Sequence, residues 1–153
     1  MYPFRRLAVW EKAHALTLRS FLLTESASGS RFAGLVAQYR RAVASIPANI
    51  AEGAGHSTDP QFNRFLEIAI ASSMEADYHL LLARDLGIIS GKDYAQLEAR
   101  LSEVRQMLVG LRKRVLERMR LAGTRRVGER PTRARLSEAI GAVGAVRAER
   151  SER

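Results

Sequence analysis

Two acid–histidine pairs have the residue types and a spacing that resemble a metal site. Glu52 and His56 are four residues apart, as are Glu75 and His79, so each pair shares one face if it lies on a helix. Di-iron helical bundles instead need Glu-x-x-His on two helices and one further glutamate from each of the other two. The chain lacks that spacing. We therefore expect no metal and no cofactor.

Motifs of nucleophilic and phosphate-transfer enzymes are missing from the sequence. It contains no cysteine, no G-x-S-x-G motif and no glycine-rich phosphate loop. The segment GAGHST at 53–58 is too short for such a loop and follows no predicted strand. We therefore expect no catalytic residues and no enzyme activity.

Glu52 and Glu75 also have a structural interpretation. Each lies beside small residues, which predicts partial burial, and a buried carboxylate needs a hydrogen-bond donor. The candidate donors are Arg40, Arg41, Asn49 and Ser72. We expect a structural network, within the protomer or across a subunit interface. Contact with a ligand or partner is the alternative.

The charge balance points to a polyanionic partner. With 25 basic and 16 acidic residues, the chain carries +9 and has a pI near 10.9, which favours binding to RNA or DNA. The candidate nucleic-acid-binding residues form three sets: Arg5 and Arg6; Arg40 and Arg41; Arg112, Lys113, Arg114, Arg118 and Arg120. The third set also suits the electrostatics of a helix C-terminus, which is its structural alternative.

The remaining composition favours a cytoplasmic protein. The absence of cysteine suits a reducing compartment, and the first residues lack the apolar stretch of a secretory signal. No apolar run approaches the roughly 20 residues of a membrane span, so we expect no membrane partner.

Hydrophobic periodicity predicts an all-α chain of four helices, at about 7–24, 32–54, 60–86 and from 91 onward. The fourth has the most regular heptad pattern, formed by Tyr94, Leu97, Leu101, Val104, Leu108, Leu111 and Val115. Short connections make consecutive helices antiparallel neighbours. The predicted fold is an up-down-up-down four-helix bundle.

Pro47 lies inside the second predicted helix, where a proline removes one backbone hydrogen bond and clashes with the carbonyl four residues back. Either one kinked helix passes through it, or the helix ends near Ser45 and another begins. We favour the kinked helix, because no glycine or asparagine separates the two halves. Ser45 and Asn49 flank the proline and are placed to satisfy the stranded backbone groups.

The segment SIPANIAEG at 45–53 carries a family resemblance. Together with Phe4, Trp10, Gln38 and later residues including Phe65, Ser72 and Glu75, it resembles the four-helix-bundle family encoded within intervening sequences of large-subunit ribosomal RNA genes. Relatives in that superfamily include Avd, the accessory protein of diversity-generating retroelements. The resemblance covers about residues 4–120.

The resemblance implies a helical protomer that closes into a ring, most simply a homopentamer. It also implies a role without established catalysis, associated with RNA or with a reverse transcriptase. The residues expected to serve structure or subunit contacts are Ser45, Pro47, Asn49, Glu52, Gly53, Ser72 and Glu75.

The chain is expected to divide into a bundle at 1–120 and an arginine-rich tail at 121–153. From position 125 onward the tail has eight arginines and four glutamates. Gly141 and Gly144 weaken its one apolar helical pattern. We expect a disordered or partly helical tail that orders on a partner, or one that only adds solubility.

Two functions remain open. One is a ring-shaped nucleic-acid-binding accessory protein that acts on structured RNA or on an RNA–DNA intermediate. The other is a protein-interaction scaffold on which the positive charge is incidental.

Overall fold

Four α-helices account for most of the described chain. The computed structural model describes residues 3–27, 29 and 31–128, with side chains as far as Thr124. After a 3₁₀ turn at Phe4–Arg6 come α1 (Ala8–Leu23), α2 (Ala33–Gly55), α3 (Asp59–Asp85) and α4 (Gly91–Gly128). These described residues include no strand. The predicted all-α fold is confirmed, and the helix bounds of α1 to α3 differ from the predicted ones by one residue.

Side-chain contacts between neighbouring helices close the bundle. The joining pairs are Ser20–Tyr39 for α1 and α2, Ser45–Ser72 for α2 and α3, Asp77–Arg105 for α3 and α4, and Lys12–Glu103 for α1 and α4. Along α3 and α4 the paired residues run in opposite directions, as Asp59 meets Arg118 and Asp77 meets Arg105. The helices therefore form the predicted up-down-up-down bundle.

Aliphatic side chains of all four helices make up the core. The heptad pattern of α4 supplies five buried residues, while its other two predicted members, Tyr94 and Leu111, are half-buried. Each fully buried aliphatic side chain stabilises the fold by about 1.5–3 kcal/mol relative to exposure. The five are Leu97, Leu101, Val104, Leu108 and Val115.

Tyr39 is the largest side chain that is fully buried, with 1% of its surface exposed. Its hydroxyl group shares a hydrogen bond of 2.7 Å with the hydroxyl of buried Ser20. Burial raises the pKa of Tyr39 to about 12, although the hydrogen bond from Ser20 lowers it somewhat. The pair satisfies two polar groups inside an otherwise apolar core.

A single helix passes through Pro47, so α2 is not two helices. Because proline has no N–H group, the carbonyl oxygen of Val43 loses its helical donor. The hydroxyl of Thr17 on α1 lies 3.1 Å from that oxygen and 2.9 Å from the carbonyl oxygen of Ala13. The hydroxyl group has one proton for these two oxygens, so a side chain of the neighbouring helix is placed to share its donor with Val43. Asn49, which we expected to help, instead donates to the carbonyl of Ser45.

Close packing of α2 on α3 depends on Gly53. A Cβ atom added there would lie 2.6 Å from the Cβ of Phe65 and 2.9 Å from Cδ2 of Phe62. Real Cβ atoms essentially never come so close to other heavy atoms. Gly53 thus lets the end of α2 approach the aromatic start of α3.

The connection between α3 and α4 is fixed by its own hydrogen bonds. Gly87 has a φ of +70°, a conformation that favours glycine, and donates to the carbonyl of Arg84, while Ile88 donates to that of Ala83. At the start of α4, the backbone N–H of Asp93 donates to the hydroxyl of Ser90 at 3.0 Å. These contacts agree with the predicted end of α3 and start of α4.

The N-cap position of α3 lies directly before Asp59. Thr58 occupies that position, and its hydroxyl bonds to the side-chain oxygen of Gln61 rather than to a backbone amide. Asp59 lies in the first turn, where a negative charge is favourable, and pairs with Arg118.

The bundle falls within one compact unit, Met1–Met119, and a second unit begins at Arg120. Of the second unit the structure describes the end of α4, which continues to Gly128. The rest of the predicted tail, 129–153, lies outside the described residues. The predicted boundary at 120 and the character of the tail remain predictions.

Candidate nucleic-acid interface

The hydroxyl and amide groups of the SIPANIAEG segment form a small polar cluster between α2 and α3. Asn49 donates to the carbonyl oxygen and the hydroxyl of Ser45, at 2.7 and 2.9 Å. The hydroxyl of Ser45 shares a 2.9 Å hydrogen bond with that of Ser72 on α3. Hydrogen bonds thus link two helices at the predicted positions Ser45, Asn49 and Ser72.

Both predicted acidic members lie outside this cluster, because Glu52 and Glu75 are exposed in the protomer. Each precedes a buried small residue, Gly53 or Ala76, by one position, which corresponds to about 100° around a helix. Proximity in sequence to small residues therefore did not bring burial. Glu75 faces the imidazole of His79 at 3.6 Å, and the prediction that these acids are partly buried is wrong for the protomer.

The histidine of the other acid–histidine pair packs against α3. The ring of His56 stacks on Phe65, with centroids 5.0 Å apart. Within the described part of the chain, no three histidine or acidic side chains gather as a metal site would require.

Arg40 is occupied within the protomer. Its Nε donates to the hydroxyl of Thr24 at 2.9 Å, and Nη2 donates to the carbonyl of Phe21 at the same distance. The guanidinium also lies 4.9 Å from the centre of the Phe21 ring. Arg40 therefore binds the C-terminal end of α1, where a cation is electrostatically favourable, while its neighbour Arg41 is exposed.

Three arginines of α4 pair with acids along α3. Arg105 meets Asp77 at 2.6 Å, Arg118 meets Asp59 at 3.1 Å, and Arg112 bonds to Glu67 between them. Two predicted nucleic-acid contacts, Arg112 and Arg118, are thus partly neutralised by α3. Ion pairs at a protein surface contribute roughly 0–1 kcal/mol each; here Arg105 and Asp77 are half-buried, and the three pairs favour one register of the two helices.

Exposed basic side chains remain at the end of the bundle where α1 begins. Arg5 and Arg6 lie in the 3₁₀ turn, and Lys113 and Arg114 lie on α4. Arg114 lines the same groove as Leu7 and Ala8, which directly follow Arg6 in the chain. We call these four residues the basic end: Arg5, Arg6, Lys113 and Arg114. Within the described residues, none of the four pairs with a carboxylate.

The nine predicted basic residues are therefore not one surface. Arg40 and Arg41 lie toward the opposite end, near the α1 terminus at Thr24. Arg120, also exposed, belongs to the second unit of the chain. Sequence position alone could not show that Arg112 and Arg118 are neutralised, because this depends on which acidic side chains of α3 face α4.

Sequence reasoning missed an aromatic cluster beside the basic end. Phe4 meets Trp10 edge-on, with centroids 4.9 Å apart, and His14 stacks flat on Trp10 at 5.1 Å. The guanidinium of Arg5 lies 5.6 Å from the centre of the Phe4 ring. The four-residue spacing of Trp10 and His14 was a usable signal. The position of Phe4 depends on the turn before α1.

Comparison with known proteins identifies the family. The family model for the 23S rRNA-intervening sequence protein matches residues 5–110. The chain belongs to this family. No match was found among curated proteins.

A solved structure that is similar to this chain supports the fold. It is the crystal structure of a protein with unknown function from the S23 ribosomal protein family of Bacteroides thetaiotaomicron. This chain is similar to it with a TM-score of 0.66 and 23% identity, over 69% of this chain and 99% of that one. At this identity the likeness supports the four-helix fold alone.

None of the helices described in this family member is long and apolar enough to span a membrane.

Proposed function

We propose that this protein is a non-enzymatic nucleic-acid-binding accessory protein, which binds structured RNA, or an RNA–DNA complex of a reverse transcriptase, through its basic end. The observation that carries the proposal is the exposure of Arg5, Arg6, Lys113 and Arg114 at one end of the bundle. Membership of a family named after 23S rRNA intervening sequences supports an RNA partner.

Binding of this kind depends on charge and shape, since arginine and lysine contacts to phosphates position a protein without reading bases. Each neutralised phosphate releases counterions, and affinity then falls steeply with salt. If the four residues of the basic end each contact one phosphate of a duplex, the plot of log K against log salt has a slope of about −3 to −4.

A salt titration of binding to a structured RNA, followed by fluorescence anisotropy, tests this proposal. A slope near −1, or an affinity no higher than that of an unrelated protein of equal charge, would reject the basic end as the interface. The same titration with an RNA–DNA hybrid separates the two nucleic-acid partners.

We also propose that protomers close into a ring, and a pentamer is the expected number. Rings form through heterologous contacts, in which two different patches of each protomer meet. The bundle exposes two apolar patches on helices that are not neighbours: the α1 patch, Leu18, Phe21 and Leu22, and the α3 patch, Met74 and Tyr78. A ring would repeat the basic end and increase its avidity for one nucleic acid.

The same patches support the alternative function, a scaffold whose ring docks a partner protein. Replacing Lys113 and Arg114 together by alanine separates the two functions. Lost RNA binding by an intact assembly supports the nucleic-acid function, whereas unchanged cellular function despite the lost charge supports the scaffold.

We also propose a cellular role and a cellular location for the protein. A role beside a reverse transcriptase, as for the Avd-like accessory proteins of diversity-generating retroelements, fits a helical protomer with a basic end. We place the protein in the cytoplasm, without catalytic residues, metal or cofactor. Reverse-transcription assays with and without the protein test the retroelement role.

A further inference from the structure

An apolar groove lies between the start of α1 and the middle of α4, within the basic end. Its volume is about 190 Å³, smaller than the roughly 300–1,000 Å³ of pockets that hold drug-sized ligands. It has room for one flat ring system rather than for a whole ligand. The lining includes Leu7, Ala8, Met107, Gly110, Leu111 and Arg114.

Gly110 lines this groove, although neither local packing nor backbone conformation requires a glycine at that position. Gly87 is the glycine with positive φ in the described chain, whereas Gly110 lies inside regular helix. A Cβ atom added at Gly110 would meet no heavy atom within 4 Å, in contrast to Gly53. Glycine inside a helix costs about 1 kcal/mol relative to alanine. What it provides here is open space on the α4 side of the groove.

Arg114 is the one charged residue among those that line the groove. Arg114 forms one wall, and Arg5 and Arg6 directly precede Leu7 at the other. None of the lining side chains is a carboxylate. Leu7 occupies the N-cap position of α1 and has no side-chain acceptor, so the first amides of the helix add a positive potential, which Glu11 in the first turn partly offsets.

We propose that this groove takes a single unpaired nucleobase, with the phosphates on either side of it held by Arg5, Arg6 and Arg114. A base has flat faces of low polarity, polar edges and a negatively charged phosphate on either side, and its faces and phosphates match an apolar slot flanked by guanidinium groups. The inference rests on the proposed nucleic-acid function and narrows it: the preferred RNA carries a bulged or looped-out base rather than an unbroken duplex.

The test compares two hairpin RNAs that have the same stem and differ by one bulged nucleotide. Binding is measured by fluorescence anisotropy at fixed salt for the full chain and two variants. Gly110→Leu fills the groove, and its exposed position favours an intact fold. Gly34→Leu is the matched control, because Gly34 is also an exposed helical glycine with an open Cβ direction, at the opposite end of the bundle.

The full chain and Gly34→Leu are expected to bind the bulged hairpin about tenfold more tightly than the paired one, because the unpaired base buries surface in the groove that a paired base cannot. Gly110→Leu is expected to bind both hairpins equally, with the affinity of the full chain for the paired one. Circular dichroism and thermal unfolding of each variant verify that its fold is intact.

Three results would overturn the inference. Equal affinity of the full chain for the two hairpins would leave the proposed function standing but remove the base from the groove. A preference retained by Gly110→Leu would place the base elsewhere, and leave the groove to an apolar side chain of a partner protein. Salt-independent or absent binding to both hairpins would reject the proposed function together with the inference.

Discussion

At the scale of single residues, the Thr17 hydroxyl group makes Pro47 compatible with an unbroken α2. It is placed to donate to the carbonyl oxygen of Val43, which the proline leaves without its helical partner. Thr17→Val keeps the side-chain shape and removes the donor. We expect its free energy of unfolding to fall by about 1 kcal/mol in urea denaturation, because a partly buried acceptor loses its bond.

A double-mutant cycle supplies the control for Thr17. In Pro47→Ala the backbone amide at position 47 returns and again donates to Val43. Thr17→Val should then cost clearly less than it does beside the proline. An equal cost in both backgrounds would show that Thr17 stabilises the bundle through Ala13 or through packing, and not through the proline.

Ionisation of Tyr39 makes the stability of the fold depend on pH in the alkaline range. Burial raises its pKa to about 12, whereas an unfolded tyrosine ionises near pH 10. Between these values the unfolded chain has lost a proton that the folded chain keeps, so stability falls as pH rises. We expect the free energy of unfolding to drop by about 1 kcal/mol from pH 10 to 11.

Urea denaturation of the parent protein and Tyr39→Phe at pH 8, 10 and 11 measures this effect. The variant should lose less stability over the interval, because its core contains no group that ionises. Its stability at pH 8 should be lower by about 1 kcal/mol through the lost bond to Ser20. Parallel curves for the two proteins would mean that other groups cause the alkaline loss.

Residue-level roles were the least predictable part of the site. The sequence pointed to Ser45, Asn49 and Ser72 as structural residues; Ser45 bonds to Ser72 between α2 and α3, and Asn49 bonds to Ser45 within α2. It could not show that Arg40 binds the end of α1, since its partners are a backbone carbonyl and a hydroxyl sixteen or more residues away. Such contacts follow from the packing of the helices and leave no local pattern.

At the scale of helices, the hydrophobic pattern determined more. The heptad pattern of α4 predicted which of its residues are buried, because a period near 3.5 leaves little choice of face. On α3, where small residues dominate, the hydrophobic pattern does not indicate that Ser73 is buried. A serine offers no hydrophobic signal. Its burial depends on the hydroxyl bond to the carbonyl of Ile70.

The packing of α2 on α3 yields a test with a built-in control. Gly53→Ala puts a methyl group within 2.6 Å of Phe65, and we expect the free energy of unfolding to fall by about 1–3 kcal/mol. Gly110→Ala makes the same chemical change in open space and should raise it by up to about 1 kcal/mol through helix propensity. Thermal unfolding of the two variants checks both signs. A stabilised Gly53→Ala would show that the helices separate freely there.

At the scale of the whole molecule, the exposed apolar side chains predict self-assembly. Leu22 is 65% exposed in the protomer, so Leu22→Ser should leave the bundle intact. If the α1 patch forms a subunit contact, light scattering after size-exclusion chromatography should show a smaller particle for this variant than for the parent protein. Leu86→Ser, at the exposed end of α3, serves as the control. A monomeric parent protein would exclude the ring.

The central claim is that the basic end, rather than overall positive charge, binds nucleic acid. The most direct measurement compares the salt dependence of RNA binding for two triple variants with equal loss of charge. One replaces Arg5, Arg6 and Arg114 by glutamine, and the other replaces the exposed residues Arg31, Lys92 and Arg100. We expect the first to reduce the magnitude of the salt slope by about three and the second to leave it nearly unchanged. Equal effects of the two triple variants would contradict the claim.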